Sequence, residues 1–426
     1  MGEAAVGGAA ARAEPAGWRK TFASLRHPDF ALMMAGTLPG TLAMQMGMVA
    51  FGYLAYEISG SATALGLIGL AWGIPMLFLS LIGGVVADRV PRRTILIVTQ
   101  GTIGCAAVVN ALLLYGGKLQ LWHLYAVALV QGTAFAFNMP ARQAMSAELV
   151  GKEDLSNAMA LFNANMNLTR VVGPAIAGLL IALPQVGVSG VFGLMAAAYV
   201  LVILTFWRIR GGRTRAGANR GSGLQQLQEG LSYIRSNRKL IMLLTLGFLP
   251  MMLGMPYQLL MPVFALGVLR VGPEGLGMLN AASGIGALLG SLALASLGNF
   301  GGKARLQSIT GIAFGLSLLG FALAPSYAAA LLILPALGAA SSAYMALNNT
   351  LVMENTPRQF YGRVMSVYMM TFSLMPLASV PFARLADEIG ARPTLAAAGA
   401  LLAYLVAVIA FGGRLRLRAK EPVRTA

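Results

Sequence analysis

The chain has 426 residues, of which 57% are hydrophobic and only 11% are charged, whereas soluble domains carry about 25% charged residues. Long apolar runs with so little charge exclude a soluble globular protein and predict membrane-spanning helices of about 20 residues each. The net charge of +17 would suit a nucleic-acid binder, so the positions of the basic residues have to decide that question.

Cysteine and histidine are too rare for most site chemistry. Cys105 is the only cysteine, and His27 and His123 are the only histidines. A single cysteine excludes an internal disulfide and a thiolate metal cluster, and two histidines far apart in sequence argue against a histidine metal site. Since no nucleophile–base set is visible either, we expect no enzyme, no metal and no cofactor.

In chain order, a polar, basic, Ala/Gly-rich tail covers residues 1–26 and lacks the apolar core of a cleavable signal peptide. Apolar runs separated by charges and turn residues then predict twelve spans, followed by a second tail over residues 413–426. The spans cover approximately residues 30–55, 62–87, 94–116, 120–142, 157–182, 188–207, 240–268, 274–298, 306–324, 327–350, 363–386 and 392–412.

One long break, residues 208–239, divides the spans into two groups of six, at residues 27–207 and 240–412. Within this linker, apolar residues recur at helical spacing and predict a short amphipathic helix on the inner membrane surface. These residues are Leu224, Leu227, Leu231 and Ile234.

The two groups of spans also repeat each other weakly. Three residues of the first group recur 206 residues later, at equivalent helix–loop–helix junctions: Met139, Glu148 and Met159 correspond to Met345, Glu354 and Met365. The sequence therefore predicts an all-α membrane protein of twelve transmembrane helices in two pseudo-symmetric six-helix halves. Alternating-access transporters have this architecture, with a substrate site near the bilayer midplane.

The basic residues orient these spans. Twelve spans put both termini on one side, and that side holds 26 of the 31 Lys and Arg residues, with four on the other side and Arg170 alone inside a span. Basic residues stay cytoplasmic during insertion. We therefore predict a multi-pass protein of the inner or plasma membrane with both termini in the cytosol. Because the bilayer accounts for the charge, no nucleic-acid partner is expected.

The cytosolic turn between spans 2 and 3 reads GGVVADRVPRR. Its charged and glycine positions resemble the signature turn of the major facilitator superfamily, although Pro91 stands where that family usually has glycine. Pro91 keeps a tight turn possible through its fixed φ. The residues that carry the resemblance are Gly84, Asp88, Arg89, Arg92 and Arg93.

Further stretches resemble the branch of that superfamily which contains the enterobactin exporter and the macrolide efflux proteins. They are Gly60-Ser61-Ala62, Pro140-Ala141-Arg142-Gln143-Ala144, Gly173-Pro174 with Ala177-Gly178, and the run from Gly362 and Arg363 to Tyr368. The resemblance covers about residues 20–412, and it implies an exporter without specifying the substrate.

The resemblance also implies a conformational switch at the charged turn. Asp88 would contact the positive N-terminus of span 11 near Gly362 and Arg363, helped by Arg142 of span 4. The arginines Arg89, Arg92 and Arg93 would hold the turn against lipid phosphates or acids such as Glu148. The alternative is that these residues only orient the chain in the membrane.

No acid lies in the middle of a predicted span, although a buried carboxylate is the commonest proton carrier in transporters. Protons remain a candidate coupling ion, and Glu57 at the outer end of span 1 is the best candidate carrier. The alternative is that Glu57 is an ordinary interfacial acid. The chain has no phosphate-binding loop, so ATP is not expected to drive it.

Arg170 lies at the middle of span 5, where an arginine costs about 2.5–3.5 kcal/mol on insertion scales unless it faces protein or water. Asn163, Asn167 and Arg170 have i, i+4, i+7 spacing and predict a polar stripe directed into the bundle. Arg170 would attract an acidic or electron-rich substrate such as a catecholate. The alternative is a structural hydrogen-bonding role between helices.

Other polar residues are predicted on the faces that line the cavity, among methionines suited to broad apolar recognition. They are Gln45, Gln131, Asn138, Tyr257, Gln258, Tyr344, Asn348 and Tyr368. The sequence as a whole predicts a monomeric secondary transporter that exports an amphipathic small molecule. The alternatives are a lysophospholipid or other lipid transporter of the same fold and a membrane sensor that does not transport.

Overall fold

The computed structural model describes residues 23–151, 153–211, 231–298, 300–357, 360–361, 363–365, 367–368 and 375–418, without the side chains of residues 81, 88, 375–376 and 411–418. A short 3₁₀ turn, Ala23–Arg26, precedes the long helices. These are α1 (Pro28–Ser59), α2 (Ala62–Arg89), α3 (Arg92–Tyr115), α4 (Leu121–Val150), α5 (Leu155–Ala182), α6 (Gly187–Arg208), α7 (Arg238–Val268), α8 (Gly272–Ser296), α9 (Lys303–Ala322), α10 (Tyr327–Glu354), α11 (Met375–Glu388) and α12 (Ala391–Arg418).

Short turns with capping residues separate the helices. Gly60, with φ of 64°, ends α1 by donating its N–H to the Tyr56 carbonyl, a left-handed conformation that glycine adopts without strain. The next residue, Ser61, begins α2 by accepting a hydrogen bond from the N–H of Thr63. Pro91 fits just before the first turn of α3, because its missing N–H would have no helical partner there.

Eight helices of the described chain are long and apolar enough to cross a membrane, which fits a multi-pass membrane protein. Of the others, α1, α4 and α5 are less apolar, and α11 is described over only 14 residues. Large apolar side chains such as Phe78, Leu112 and Leu332 are exposed around the outside of the bundle, as expected of a surface that meets lipid tails. The number of spans stays a prediction.

Most of the helix packing lies within two groups, α1–α6 and α7–α12. In the first group α2 packs on α4, and α6 packs on α1 and α3; in the second, α10 packs on α8, and α9 on α10 and α12. Two seams, α2 with α11 and α5 with α8, join the groups. On the second seam a Cβ on Gly178 would lie 2.7 Å from the Gly277 Cα, so this close approach requires glycine.

Most of the predicted amphipathic helix, residues 212–230, lies outside the described residues. Its last turn is helical, and the two predicted apolar residues described there differ, since Leu231 is exposed but Ile234 is not. Ile234 is buried against Leu240, Leu351 and Val364 of the second group, and Tyr233 stacks on Phe360 at 4.1 Å between ring centroids. This end of the linker is therefore anchored on protein, because the neighbouring helices offer it an apolar surface.

Candidate functional site

A cavity of about 760 Å³ lies between the two helix groups. The first group lines it from α1 and α5, through Gln45, Met48, Val49, Met166, Arg170 and Pro174. The second group lines it from α7, α8, α10 and Tyr368, through residues that include Met251, Met255, Tyr257, Gln258, Asn280, Ser283, Ser341 and Met345. A site built from facing helices of two groups can change shape when the groups move relative to each other.

Arg170 is the one charged residue among the residues that line the cavity. It is half-buried on α5, one turn before Pro174. Its backbone adjoins α8, since a Cβ on Gly284 would lie 3.0 Å from the Arg170 carbonyl oxygen. This places the residue at the α5–α8 seam. Because no acid occurs in the middle of any predicted span, the cavity offers a cation to a ligand without a resident carboxylate to neutralise it.

The wall from α7 is irregular. Two π-helical segments, Pro250–Gly254 and Val263–Val268, flank a short α-helical piece that begins at Pro256. Proline cannot donate to the helix ladder, and π-helical turns concentrate at functional sites. This part of α7 presents Met251, Met255, Tyr257 and Gln258 to the cavity. The Tyr257 hydroxyl lies 2.8 Å from the Ser283 hydroxyl of α8.

Of the polar residues predicted to line the cavity, Gln45, Arg170, Tyr257, Gln258 and Tyr368 do so. Asn138 is buried elsewhere, where it donates to the Thr99 hydroxyl at 2.7 Å and ties α4 to α3. Gln131 is half-buried on α4 and outside the cavity lining. Asn138 and Gln131 therefore do not line this cavity, because α4 contributes none of its lining residues.

Tyr344 and Asn348 also differ from the prediction, because both bind the backbone of α7. Pro250 has no N–H for the Leu246 carbonyl one turn earlier, and the Tyr344 hydroxyl donates to that carbonyl instead, at 2.7 Å. The Asn348 amide donates to the Leu243 carbonyl at 3.0 Å. Both residues are fully buried, so they stabilise the kinked α7 instead of lining the cavity.

The polar stripe on α5 is only partly as predicted. Arg170 lines the cavity, but Asn163 is exposed and Asn167 half-buried, and neither belongs to the lining. The buried asparagine is Asn165, which donates to the Thr41 hydroxyl of α1 at 3.0 Å. The predicted stripe is therefore correct for Arg170, whereas the asparagine that meets the neighbouring helix is Asn165 and not Asn163.

Several lining residues were missed by reading the sequence. Ser341, Met345 and Asn349 recur at intervals of four on α10, and Asn280 and Ser283 lie three apart on α8. Their helical spacing was a signal. It was hidden because small polar residues are equally common where membrane helices pack closely.

The charged turn is held by contacts within the first group. Arg92 is the first residue of α3, and its guanidinium lies 2.7 Å from the Glu148 carboxylate and donates to the Ala144 carbonyl. Arg93 donates to the Trp207 carbonyl, Arg89 is exposed, and Gly84 is half-buried. The predicted Arg92–Glu148 contact is present.

The predicted contact between Asp88 and the start of span 11 lies outside the description, because neither the Asp88 side chain nor Gly362 belongs to the described residues. Arg142 is buried at 6.0 Å from the Phe206 ring centroid. Arg363 lies over the Phe360 ring at 5.5 Å.

The second group has an ion pair equivalent to Arg92–Glu148. Lys303, the first residue of α9, pairs with Glu354 at the end of α10. Glu148 and Glu354 are the acids matched by the 206-residue repeat. Both groups therefore join their third and fourth helices in the same way on the side of the termini.

Glu57 is exposed near the end of α1, where it accepts a hydrogen bond from Tyr53 at 3.1 Å. It is not among the residues that line the cavity. Whether Glu57 carries protons or is an interfacial acid therefore stays a prediction.

Comparison with known proteins supports the same picture. Residues 19–424 match the family model described as transmembrane secretion effector. The chain is 24% identical to macrolide efflux protein A of Streptococcus pyogenes, over 89% of this chain and 94% of that protein. It is 27% identical to the multidrug efflux pump Tap of Mycolicibacterium fortuitum, over 91% and 95%. Among solved structures, a mutant of the nucleoside transporter NupG superposes with a TM-score of 0.74 at 12% identity, covering 89% of this chain and 99% of that one.

Proposed function

Because the chain belongs to the transmembrane secretion effector family of the major facilitator superfamily, we propose that it exports an amphipathic small molecule by alternating access. The observation that carries this proposal is the cavity between the two helix groups, with Arg170 as its charged residue. The efflux functions named for the two relatives support the direction of transport.

The proposed architecture is twelve spans in two six-helix halves. Each half, α1–α6 or α7–α12, would move as a unit about the α2–α11 and α5–α8 seams. Such rocking exposes a central site to one side of the membrane at a time. The protein works as a monomer in this proposal, since one chain supplies both walls of the cavity.

The proposed substrate has a large apolar body and an acidic or electron-rich group. Methionines on both walls, such as Met166 and Met255, give a deformable apolar surface. Arg170 provides the charge that orients the polar group, as in a catecholate. A purely structural Arg170 would instead hold α5 against its neighbours and leave substrate choice unchanged.

The switch proposed for the cytosolic side is Asp88 against the N-terminus of span 11 near Gly362 and Arg363, with Arg142 beside it. A carboxylate at a helix N-terminus contributes about 0.3–1 kcal/mol when exposed and up to about 2 when partly buried. We expect Asp88→Asn to keep expression and ligand binding while slowing transport. Normal transport by that variant would remove Asp88 from the switch.

The proposed location is the inner or plasma membrane, with both termini and the 208–239 linker in the cytosol. Reporter fusions at residues 215 and 118 should report opposite sides of the membrane, because the linker and the loop after α3 are predicted on different sides. The same side for both fusions would contradict the twelve-span arrangement.

Protons are the proposed coupling ion, carried without an acid in the middle of a span. Glu57 is the candidate from the sequence. If Glu57 carries the proton, Glu57→Gln should abolish export driven by an imposed pH gradient in proteoliposomes. If Glu57→Gln exports as fast as the parent chain, Glu57 is an interfacial acid and not the proton carrier.

The export proposal is tested by a panel of three labelled compounds in cells that lack or overproduce the protein. The compounds are a catecholate siderophore, a macrolide and a lysophospholipid. We expect overproduction to lower cellular accumulation of the catecholate most strongly. Transfer of the lysophospholipid alone would favour the lipid-transporter alternative, and no change for any compound would favour a sensor that does not transport.

A further inference from the structure

Asp387 joins the two helix groups on the side opposite the termini. Its carboxylate accepts hydrogen bonds from the Ser61 hydroxyl at 2.6 Å and from the backbone N–H groups of Ala62 and Thr63 at 2.7 and 2.8 Å. These donors form the first turn of α2, while Asp387 belongs to α11. The contact therefore bridges more than 300 residues of sequence and one of the two seams.

The position of Asp387 is explained by this contact. It is the penultimate residue of α11, and an acid in the last turn is unfavourable for the dipole of its own helix. The same carboxylate is favourable at the N-terminus of α2, where unpaired N–H groups point out of the helix. Charge-assisted hydrogen bonds of this kind are about twice as strong as neutral ones.

Close packing continues from this contact along the same seam. A Cβ on Gly66 would lie 2.9 Å from the Cβ of Ala383, and Gly69 faces Ser379. On the neighbouring helices, Gly52 of α1 lies equally close to Pro262 of α7. The end of the cavity away from the termini is thus closed by helices in direct contact.

The two ends of the α2–α11 pair have matching chemistry. Asp88 is the penultimate residue of α2, as Asp387 is of α11. The two helices run in opposite directions, so a span 11 that begins near Gly362, as predicted, would place its first turn beside Asp88. Since the contact of Asp88 is itself a proposal, a paired role for the two acids rests on the proposed alternating-access function.

We propose that Asp387 and the first turn of α2 form an outer latch, which closes the outer side of the cavity and must break before the protein opens outward. The outer latch is the counterpart of the Asp88 contact, and rocking of the groups would close one while it opens the other. Asp387 is in this sense a positioning residue, which acts on the groups and does not touch the substrate.

The test measures conformation directly, with no substrate present. In a Cys105→Ala chain, spin labels at positions 115 and 323, both exposed at outer helix ends, report the distance between the groups. Asp387→Asn should raise the ratio of outer-open to outer-closed molecules about tenfold, because a charged acceptor of three hydrogen bonds is lost. Ser61→Ala removes one donor and should give a smaller increase.

Glu388→Gln is the matched control, since it removes a neighbouring exposed carboxylate of the same helix. A distance distribution for Asp387→Asn that equals this control would overturn the outer latch. If the export proposal fails and no compound is transported, these distances still decide whether the latch exists.

A second variant covers the case in which Asp387→Asn does not fold. Ser61→Ala keeps the Asp387 carboxylate and removes one of its three donors. A label distance distribution for Ser61→Ala that equals that of Glu388→Gln would then overturn the proposal.

Discussion

The helices α1 and α7 begin the two groups and face each other across the cavity, but they are built differently. The first is continuous over 32 residues and passes through Pro39 without interruption. The second is interrupted twice by π-helical turns and contains Pro250, Pro256 and Pro262. The same position in the repeat has therefore produced one regular wall and one irregular wall.

This difference separates two tasks of a binding cavity. The regular wall, from α1 and α5, holds Gln45 and Arg170 on continuous helices and so fixes the position of charge. The irregular wall, from α7, presents Met251, Met255 and Tyr257 from turns that lack the full helical hydrogen-bond ladder. We infer that the first wall determines which charge is accepted and that the second adapts to shape.

The largest effect is expected from removing the positive charge of the regular wall. Arg170→Gln should reduce transport of an anionic probe such as a catecholate more than tenfold while the protein still inserts and folds. Arg170→Lys should retain part of the activity, because the positive charge remains but the planar donor set is lost. Initial uptake rates in inverted vesicles measure both.

Arg384→Gln on α11, an exposed arginine outside the cavity lining, is the control for the loss of one positive charge. If the Gln and Lys variants of Arg170 misfold alike, or the folded Gln variant transports normally, Arg170 is structural.

The next effect concerns the irregular wall, from α7. Pro256→Ala supplies an N–H where α7 now begins its middle segment, and it should make the helix more regular. We expect the transport rate of the bulkiest compounds in a series of increasing size to fall several-fold, while the smaller compounds are still transported. Pro39→Ala in the regular α1 should leave that series unchanged, and an equal response of the two variants would remove the distinction between the walls.

A smaller effect tests how the irregular wall is supported. Tyr344→Phe leaves the buried Leu246 carbonyl without its donor and should cost about 1–3 kcal/mol of stability, seen as a lower melting temperature in detergent. In a Pro250→Ala chain the new N–H can reach that carbonyl, so the same substitution should cost less. Equal costs in both backgrounds would show that Tyr344 does not compensate for the proline.

The smallest effect is expected from external pH on the outer latch. Asp387 lies just beyond the predicted span 363–386. Partial burial alone would raise its pKa, but the hydrogen bonds from Ser61, Thr63 and Ala62 outweigh it and lower the pKa below the ordinary 3.8. The contribution of the carboxylate is thus present above that value and is lost only as the pH falls through the lowered pKa.

Between external pH 7 and pH 5 we therefore expect the distance between labels at positions 115 and 323 to stay constant. A change in this distance with its midpoint between pH 5 and pH 7, seen in the parent chain but not in Asp387→Asn, would contradict the lowered pKa.

The sequence predicted the helices well and the faces of their polar residues less well. Apolar runs and charges define spans directly, so the bounds of α2, α7 and α10 lie within a few residues of the expected ones. Gln45 and Asn138 are both polar residues within spans, yet only Gln45 lines the cavity.

Whether such a polar residue lines the cavity or binds another helix depends on what the neighbouring helix offers it. Asn138 meets Thr99, and Tyr344 meets a carbonyl that Pro250 had left without a donor. Neither contact follows from the spacing within one helix. Arg170 could be placed because an unpaired charge at the bilayer centre excludes every face except one that meets protein or water.

The contact between Gly178 and Gly277 has a mechanical consequence. Where two backbones nearly touch, neither helix can tilt inward without a clash. If the groups rock, this point acts as a fulcrum, and displacement grows with distance from it along α5 and α8. The N-terminal end of α5 is far from this point and would then move furthest. Hydrogen bonds between Ser24 and Asn157 hold it to the turn before α1, so that turn would move with it.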